Sequence, residues 1–237
     1  MNITFYGHAC FGIEINGIYL LVDPFITGNS LASNIVIADI KADYILLTHA
    51  HQDHVLDVEL FAEQTGATII SNFEIAQYYG AKNLKTAAVN HGGTFKTAVF
   101  SAKYVNAIHT SSFADGTYGG QPGGFVISSE EKVLYIAGDT AVTMDMKLIP
   151  MTTKVTTVIF PIGDTFTMGV EDAILASNLV ECDTVIGCHF NTFPPIEIDT
   201  HQAKEKFTEA KKELIILEIG ASINIAEISK KSTKKQD

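Results

Sequence analysis

The sequence predicts an α/β fold in which two packed sheets form the core and helices cover them from outside. Residues 1–110 form short apolar runs separated by turns, whereas residues 130–220 alternate predicted strands with predicted helices. Both halves contain runs typical of strands that are buried on two faces, and such strands need helices outside the sheet. We expect one domain over residues 1–229 and a frayed basic tail at 230–237.

The first half opens with strands that are joined by tight turns. Apolar runs predict strands at residues 3–6, 10–15 and 18–22, and Asn16 with Gly17 is a good hairpin signal. The other elements predicted in this half are a strand at 44–47, a helix at 54–64 that stops at Gly66, a strand at 68–71, a helix at 73–79, and an alternating stretch at 86–109 that turns at Gly92 and Gly93.

The second half alternates strands and helices after one further hairpin. Strands at residues 125–128 and 133–137 are predicted to pair across the charged turn at 129–132. The remaining predicted elements are a strand at 157–161, a helix at 170–180, a strand at 184–188, a helix at 201–212 and a strand at 214–219.

The charge of the chain limits the partners that it can bind. It has 16 lysines and no arginine against 27 acidic residues, and four of the lysines lie at 230–237. The preceding 229 residues therefore carry 12 lysines against 26 acids. A body this acidic repels phosphate backbones, so the sequence disfavours nucleic acid as a partner.

Nothing in the sequence predicts membrane insertion or export. No run of about 18 apolar residues is present, so no transmembrane helix is expected. The N-terminal residues lack a basic segment followed by a long apolar one, and they read as the first strand rather than as a signal peptide. Cys10, Cys182 and Cys188 form no CxxC pair, which favours reduced thiols and a cytoplasmic location.

The most informative motif is THAHQDH at residues 48–54, which places four ligand-type side chains within six residues. It directly follows the apolar run 44–47 and precedes a predicted helix, so the connecting loop can aim several side chains at one point. Imidazole nitrogens and carboxylate oxygens suit Zn²⁺, Mn²⁺, Fe²⁺ or Ni²⁺. We interpret the motif as a metal site; the alternative is a solvated loop.

Three further ligand-type residues follow other apolar strands, where an α/β architecture gathers polar groups at one sheet edge. They are His109 after residues 104–108, Asp139 after 133–137 and His189 after 184–188. Taken singly, each has an ordinary alternative as a polar strand end, a turn or a helix cap. Their joint occurrence behind the 48–54 motif favours a binuclear metal site.

These residues and the segments around them resemble the metallo-β-lactamase-fold hydrolases over nearly the whole chain. Segments at 7–11, 22–25, 138–140, 161–169 and 189–195 are similar to the UPF0173 branch of metal-dependent hydrolases, which is akin to the ascorbate-6-phosphate lactonases. The resemblance implies a four-layer αββα sandwich with the metals at one edge of the two sheets. It implies no particular substrate.

The resemblance also implies how the ligands divide between two divalent ions. One ion would be held by His49, His51 and His109, the other by Asp53, His54 and His189, and Asp139 would bridge the two. No ligand position departs from the family pattern, so two ions are expected. Their identity, Zn, Mn, Ni or Fe, is not readable from the donor types.

Such a site predicts hydrolysis without a serine or cysteine nucleophile. Two neighbouring ions lower the pKa of a bridging water, and the resulting hydroxide attacks a polarised carbonyl or phosphoryl group. Asp53 and Asp139 help to neutralise the ions. Asp53 is also a candidate to orient the water or to accept its proton.

Other residues are candidates for supporting roles. The family resemblance implies that Asp23 hydrogen-bonds a ligating histidine, although a turn acid is the alternative, and Thr48 is grouped with it. His8 is expected to line the pocket and to bind substrate or shuttle a proton; the alternative is a polar turn residue. Further pocket candidates are Asp164, Thr165 and Thr167, with a helix cap as the alternative, and Asn191 and Thr192.

Three other features receive structural interpretations. His91 is expected to be structural in a hairpin turn, and His201 is expected at the surface of a polar helix. The glycine-rich residues 119–124 are read as a mobile loop near His109, and a role as a lid stays open.

The preferred function is hydrolysis of an ester, a lactone or a related bond in a small polar or anionic molecule. The metals and lysines would bind this substrate, since the chain has no arginine to form a bidentate clamp. The alternative is a phosphodiesterase or ribonuclease of the same fold, and a third reading is a non-catalytic metal-dependent binding protein. The resemblance also implies self-association.

Overall fold

The computed structural model describes residues 1–130 and 132–225, which form two seven-stranded sheets packed face to face. The strands are β1 (Asn2–Gly7), β2 (Cys10–Ile15), β3 (Ile18–Val22), β4 (Tyr44–Leu46), β5 (Thr68–Ser71), β6 (Thr86–Ala88), β7 (Thr94–Lys96), β8 (Ser101–Asn106), β9 (Gly123–Ser129), β10 (Lys132–Ile136), β11 (Thr157–Pro161), β12 (Thr184–Cys188), β13 (Glu213–Ile215) and β14 (Ser222–Asn224).

The two sheets share the same arrangement of antiparallel and parallel strands. The first has the order β14-β1-β2-β3-β4-β5-β6, and the second has the order β13-β12-β11-β10-β9-β8-β7. In the first sheet, pairing is antiparallel from β14 to β3 and parallel from β3 to β6. In the second, it is antiparallel from β7 to β10 and parallel from β10 to β13. Each sheet therefore joins a hairpin region to a parallel region.

Helices cover the outer faces of the two sheets. They are α1 (Gln52–Val55), α2 (Val58–Thr65), α3 (Phe73–Gly80), α4 (Val170–Leu179) and α5 (Thr200–Glu209). Phe61 of α2 and Ile75 of α3 pack against Ile45 of the first sheet, and Phe207 of α5 packs in a cluster with Phe160 of the second. The four-layer αββα sandwich is thereby confirmed.

The central apolar layer lies between the two sheets. Side chains that alternate along the strands, such as Phe11 and Leu20, meet Phe125 and Ile127 from the opposite sheet in one buried cluster. This period-two burial is the pattern that predicted the strands. The register is specified because a slip by one residue would move the side chains of the central layer to the helix-covered face and disrupt the packing on both faces.

The predicted helix at residues 54–64 is divided and begins earlier. It forms α1 and α2, separated at Leu56 and Asp57. The Asp57 carboxylate accepts hydrogen bonds from the backbone N–H groups of Ile26 (2.6 Å) and Thr27 (2.9 Å), and its own N–H donates to the Pro24 carbonyl. These tertiary contacts outweigh the local periodicity, and they place the last two residues of the HAHQDH motif inside a helical turn.

Two connections between the sheets were also predicted incorrectly. The turn at Gly92 and Gly93 joins β6 of the first sheet to β7 of the second, so it is not a hairpin. The strand predicted at 214–219 ends at Ile215, because the chain then crosses back to pair β14 with β1. Helix α5 ends at Glu209, short of the predicted residue 212.

The predicted tail at 230–237 lies outside the described residues, and the single domain over 1–229 stays a prediction. Among residues 1–130 and 132–225, no helix is both long enough and apolar enough to cross a membrane.

Candidate metal centre

The topology brings the predicted ligands to one edge of the sandwich. The HAHQDH motif follows β4, His109 follows β8, Asp139 follows β10, and His189 follows β12. Within each sheet these strands run in the same direction, so their C-terminal ends lie on the same side. Side chains from both sheets therefore meet where the two sheets end, as the strand-end pattern predicted.

The first group of donors consists of His49, His51 and His109. Their ligand atoms lie within 4.8 Å of one another. Nε2 of His49 is 3.0 Å from Nδ1 of His51, while Nε2 of His51 contacts the Thr110 hydroxyl at 3.2 Å. Nδ1 of His51 and Nε2 of His49 therefore point into the same space, and Thr110 occupies the other nitrogen of His51.

The second group of donors consists of His8, Asp53, His54 and His189, whose ligand atoms also lie within 4.8 Å of one another. Nε2 of His189 is 3.6 Å from Oδ2 of Asp53, and Nε2 of His54 is 3.9 Å from the same oxygen. The Asp53 side chain is 30% exposed, whereas the His54 and His189 side chains are buried. Asp53 therefore marks the open side of this group.

Asp139 lies between the two groups. Its Oδ2 atom is close to the Nε2 atoms of four histidines, His49 (3.9 Å), His54 (3.4 Å), His109 (3.6 Å) and His189 (3.0 Å). These four histidines come from both groups, and the Asp139 side chain is only 4% exposed. One buried carboxylate thus faces donors of both groups.

A buried network orients two of these histidines. Asp23 accepts hydrogen bonds from the Thr48 N–H (2.8 Å), from the Thr48 hydroxyl (2.6 Å) and from Nδ1 of His54 (2.9 Å). Because the Thr48 hydroxyl donates to Asp23, it accepts from Nδ1 of His49 at 3.0 Å. Both histidines therefore carry a proton on Nδ1 and turn Nε2 towards Asp139.

This arrangement fits a metal ion. Nε2 of His54 is buried and has no hydrogen-bond partner among residues 1–130 and 132–225. When Nε2 is unprotonated, its lone pair and the Asp139 carboxylate are two acceptors that face each other, and a divalent cation would satisfy both. Imidazole nitrogen with carboxylate oxygen is the donor set of Zn²⁺ and other borderline divalent ions.

In the metal-free cluster, the carboxylates and the imidazoles shift each other's pKa values. Burial alone would raise the pKa of Asp139, but the His189 and His54 side chains hold that pKa well below its usual range. Burial alone would lower the pKa of His189, but the Asp139 carboxylate outweighs it and raises the pKa to about 9. Without a metal, protonated imidazole therefore supplies the positive charge that the carboxylates require.

His8 does not line the open side of the site. Its side chain is inaccessible, and both ring nitrogens are occupied: Nδ1 by the Thr192 hydroxyl at 3.0 Å and Nε2 by Oδ2 of Asp53 at 3.0 Å. Burial lowers the pKa of His8 to about 4, although the hydrogen bond to Asp53 opposes this shift. His8 therefore has no free nitrogen to offer a substrate, which corrects its expected place in the pocket.

Several residues at or near the site have strained backbone conformations. The left-handed region, which L-residues with side chains seldom occupy, is adopted by His8 (φ 55°), Asp23 (φ 43°), Asp164 (φ 61°), Thr165 (φ 52°), His189 (φ 53°) and Asn191 (φ 56°). A β-branched residue such as Thr165 is especially rare there. Tertiary contacts must hold these conformations, and such strain is common at functional sites.

A close backbone approach explains one glycine at the site. A Cβ atom on Gly163 would lie 2.1 Å from the His189 carbonyl oxygen. The absence of a side chain therefore lets the loop after β11 pass directly against the His189 turn. The Ile162 N–H also donates to the Cys188 carbonyl, which extends the β11–β12 pairing to the edge of the site.

The other pocket candidates lie on two loops that contact each other. Thr165 donates a hydrogen bond to the Pro195 carbonyl at 2.8 Å, which joins the loop at 163–169 to the loop at 189–198. Asn191 accepts a hydrogen bond from the Ile198 N–H and thus shapes its own loop. Asp164 is exposed and Thr167 is half-buried. No contact joins these four side chains to the metal ligands within the described residues, so a role in substrate binding stays a prediction.

The glycine-rich residues 119–124 are packed rather than mobile. Asn72 donates hydrogen bonds to the Gly119 carbonyl (2.8 Å) and the Gln121 carbonyl (3.2 Å), and the Gly123 N–H donates to the Thr48 carbonyl. Apart from Gln121 the segment is buried. The expectation of a mobile loop is therefore wrong, and these residues support the strand end that precedes the HAHQDH motif.

The two remaining histidines have structural or surface positions. His91 bonds the Pro122 carbonyl through Nε2 at 2.9 Å and packs against Tyr104, so its predicted structural role is confirmed, although its turn connects the two sheets. His201 is exposed on α5, as predicted.

Cys10, Cys182 and Cys188 are buried free thiols.

Sequence reasoning did not find the residues that brace the ligand loops from other elements. Thr110 contacts His51, Ser111 accepts a hydrogen bond from the Ala50 N–H, and the Tyr104 hydroxyl donates to the Thr48 carbonyl at 2.7 Å. Thr110 and Ser111 directly follow His109, so their position beside a predicted ligand was an available signal. Tyr104 fits the period-two pattern of any buried strand residue, so its position had no signal of this contact.

The comparison with a family profile agrees with the fold and with the donor cluster. The profile described as "Beta-lactamase superfamily domain" matches residues 2–189, which include every predicted metal ligand. The chain is thus a protein of the β-lactamase superfamily.

Relatives with named functions narrow this assignment. A UPF0173 metal-dependent hydrolase from Christiangramia forsetii is 60% identical over 226 residues, covering 95% of this chain and 100% of the relative. Another from Flavobacterium johnsoniae is 58% identical over 225 residues, with coverage of 95% and 100%. Igni18, a metallo hydrolase from Ignicoccus hospitalis, has a TM-score of 0.86 and 31% identity, covering 94% of this chain and 97% of that one.

The chain therefore belongs to the UPF0173 metal-dependent hydrolases of that superfamily. The predictions of the family and of a metal-dependent hydrolase are confirmed by these relatives.

Proposed function

We propose that the protein holds two divalent ions and uses them to hydrolyse an ester or lactone bond of a small polar or anionic molecule. His49, His51 and His109 would hold one ion, and Asp53, His54 and His189 the other. The observation that carries this proposal is the position of Asp139, whose Oδ2 atom faces Nε2 atoms of both groups at 3.0–3.9 Å. A carboxylate in this position suits a ligand that is shared by two ions.

When bound, such ions supply a Lewis acid for the oxygen of the scissile bond and lower the pKa of a water molecule towards neutrality. Asp53 is the carboxylate on the open side, where it would orient that water or accept its proton, although hydrogen bonds from His189 and His8 lower its pKa against the effect of burial and make it a weak base. Asp139 is buried and contributes a fixed negative charge. Asp23 and Thr48 accept the Nδ1 protons of His54 and His49, so the Nε2 atoms of both rings are the ones that would bind the ions.

Four lysines have polar contacts with groups other than the predicted metal ligands: Lys82 with Glu59, Lys85 with the Gly66 carbonyl, Lys206 with Glu171 and Lys212 with Asp183. The first 229 residues carry 12 lysines against 26 acids, so acidic charge predominates. This supports a small substrate over a polyanion such as RNA, whose backbone needs an extended cationic surface.

Hydrolysis rates of a lactone series and of a chromogenic phosphodiester test the proposal. The stripped chain would be reloaded with Mn²⁺, Zn²⁺ or Ni²⁺, with Asp139→Ala as the blank. Lactone turnover that disappears in the blank supports the proposal. Turnover of the phosphodiester alone would favour the phosphodiesterase alternative, and no turnover of either with both ions bound would contradict ester or lactone hydrolysis.

A further inference from the structure

His8 connects two elements of the site through a continuous hydrogen-bonded chain. Its Nε2 atom lies 3.0 Å from Oδ2 of Asp53, and its Nδ1 atom lies 3.0 Å from the hydroxyl of Thr192. The side chain of His8 is inaccessible to solvent, so no water competes for either nitrogen. Both bonds therefore act on the orientation of the ring and of Asp53.

The donors and acceptors of this chain follow from the chemistry of its members. An ionised carboxylate only accepts hydrogen bonds, so Nε2 of His8 carries the proton and donates to Asp53. Nδ1 of the neutral ring is then an acceptor, and the Thr192 hydroxyl donates to it at 3.0 Å, its other contact being the more distant Phe190 carbonyl at 3.4 Å. Asp53 thus fixes the tautomer of His8, Thr192 holds the ring through Nδ1, and the ring in turn holds the Asp53 carboxylate.

His8 also supports His189, the neighbour of Asp53 in the same donor group. The His189 N–H donates to the His8 carbonyl at 2.8 Å, and the two rings lie 4.1 Å apart. Phe25 and Phe193 pack edge-on against the His8 ring at 5.5 and 5.4 Å. These contacts leave the ring little freedom to turn.

We propose that His8 is a positioning residue for one of the two ions only, the ion held by Asp53, His54 and His189. This inference rests on the two-ion centre proposed above. The other donor group is oriented by different residues, since Thr48 bonds His49 and Thr110 bonds His51. A change at His8 should therefore lower the affinity for one ion and leave the affinity for the other unchanged.

Matched variants separate this role from a general structural one. In His8→Asn the shorter side chain does not reach Asp53, and asparagine tolerates the left-handed backbone of this position. In His8→Gln the amide nitrogen takes the place of Nε2 and can still donate to Asp53. Thr192→Val removes the hydroxyl that bonds Nδ1 of His8, and His201→Asn on the exposed face of α5 is the control.

The experiment is a Co²⁺ titration of the metal-stripped full-length chain, followed by visible absorption and by chelator competition. For wild type and His201→Asn we expect two equivalents. For His8→Asn we expect the affinity for one of the two Co²⁺ ions to fall about 10–100-fold, as is usual when a hydrogen-bond partner of a metal ligand is removed. The other equivalent and its absorption bands should stay unchanged, and His8→Gln should recover most of the loss.

Each other outcome has a distinct meaning. Unchanged affinities in His8→Asn, or an equal loss at both equivalents, would overturn the positioning role. If His8→Asn does not fold, Thr192→Val decides the question: the same equivalent should weaken by a smaller factor, and no change would overturn the role. A wild-type chain that binds a single Co²⁺ would instead refute the two-ion centre itself.

Discussion

His54 donates a 2.9 Å hydrogen bond from Nδ1 to Oδ2 of Asp23, although the two residues come from different elements and both are buried. The same carboxylate accepts the hydroxyl and the N–H of Thr48. One buried acid thus fixes the histidine ring and the strand end that carries the HAHQDH motif. This link makes the donor geometry depend on a residue that holds no metal in the proposed centre.

Replacement of Asp23 by asparagine tests that dependence. Asparagine tolerates the left-handed backbone, but its amide removes one acceptor oxygen from the network. We expect metal affinity to fall about 10–100-fold and the free energy of unfolding to fall by about 1–3 kcal/mol. The measurements are chelator competition and urea unfolding.

Asp43→Asn is the matched control for this change, because Asp43 also accepts a backbone N–H, from Tyr19 at 2.8 Å, far from the ligands. Its metal affinity should equal that of the wild type. An Asp23→Asn chain that keeps full affinity would refute the orienting role of Asp23.

Metal binding should release protons, in an amount that depends on pH. The Asp139 carboxylate raises the pKa of His189 to about 9 against the effect of burial. Below that pH the metal-free ring holds a proton that an ion must displace, so metal affinity falls as the pH falls. Calorimetry in buffers of different ionisation enthalpy should show proton release at about pH 7 and less release at about pH 10. Equal release at both pH values would contradict the raised pKa.

Gly163→Ala should damage the site through the backbone. The new Cβ would lie 2.1 Å from the His189 carbonyl oxygen, which cannot move without displacing that ligand. We expect a loss of about 1–3 kcal/mol in the free energy of unfolding, together with weaker metal binding. Gly80→Ala, where the Cβ would lie 3.4 Å from the Thr86 hydroxyl, should retain wild-type metal affinity. Normal metal binding in Gly163→Ala would show that this close approach is not required.

Asp53→Asn should affect catalysis more than substrate binding. If Asp53 accepts a proton during hydrolysis, kcat should fall about 10²–10⁴-fold while KM changes little. The affinity for one of the two ions should also fall, so rates must be measured at saturating metal concentration. Asp145→Asn, which alters an exposed hydrogen bond to Asn106, is the control. If the Asp53→Asn enzyme has the wild-type kcat at full metal occupancy, Asp53 does not act as the proton acceptor.

The sequence predicts the strands and the ligand edge well because both follow from local patterns. Apolar runs such as residues 184–188 match β12 in full, and ligands placed after strand ends must meet where parallel strands end. Nearly all of the donor cluster could be predicted in this way. The comparisons then confirm the family and the hydrolase class.

The errors arise where distant contacts decide the local structure. Asp57 interrupts a helical pattern because its carboxylate binds the backbone of Ile26 and Thr27. Residues 119–124 look mobile from their glycines, but Asn72 bonds the Gly119 and Gln121 carbonyls from another element. His8 looks like a pocket residue because its partner Thr192 lies 184 positions away. None of these contacts has a signature at short sequence separation.

The number of ions bound by the wild-type chain and by Asp139→Asn tests the central claim most directly. Stripped protein would be titrated with Zn²⁺ and analysed for metal content after dialysis against a chelator series. A carboxylate shared by both donor groups predicts two ions per wild-type chain and weaker binding of both ions in Asp139→Asn. A single ion in the wild type, or a variant that loses affinity for only one of two ions, would contradict the shared centre.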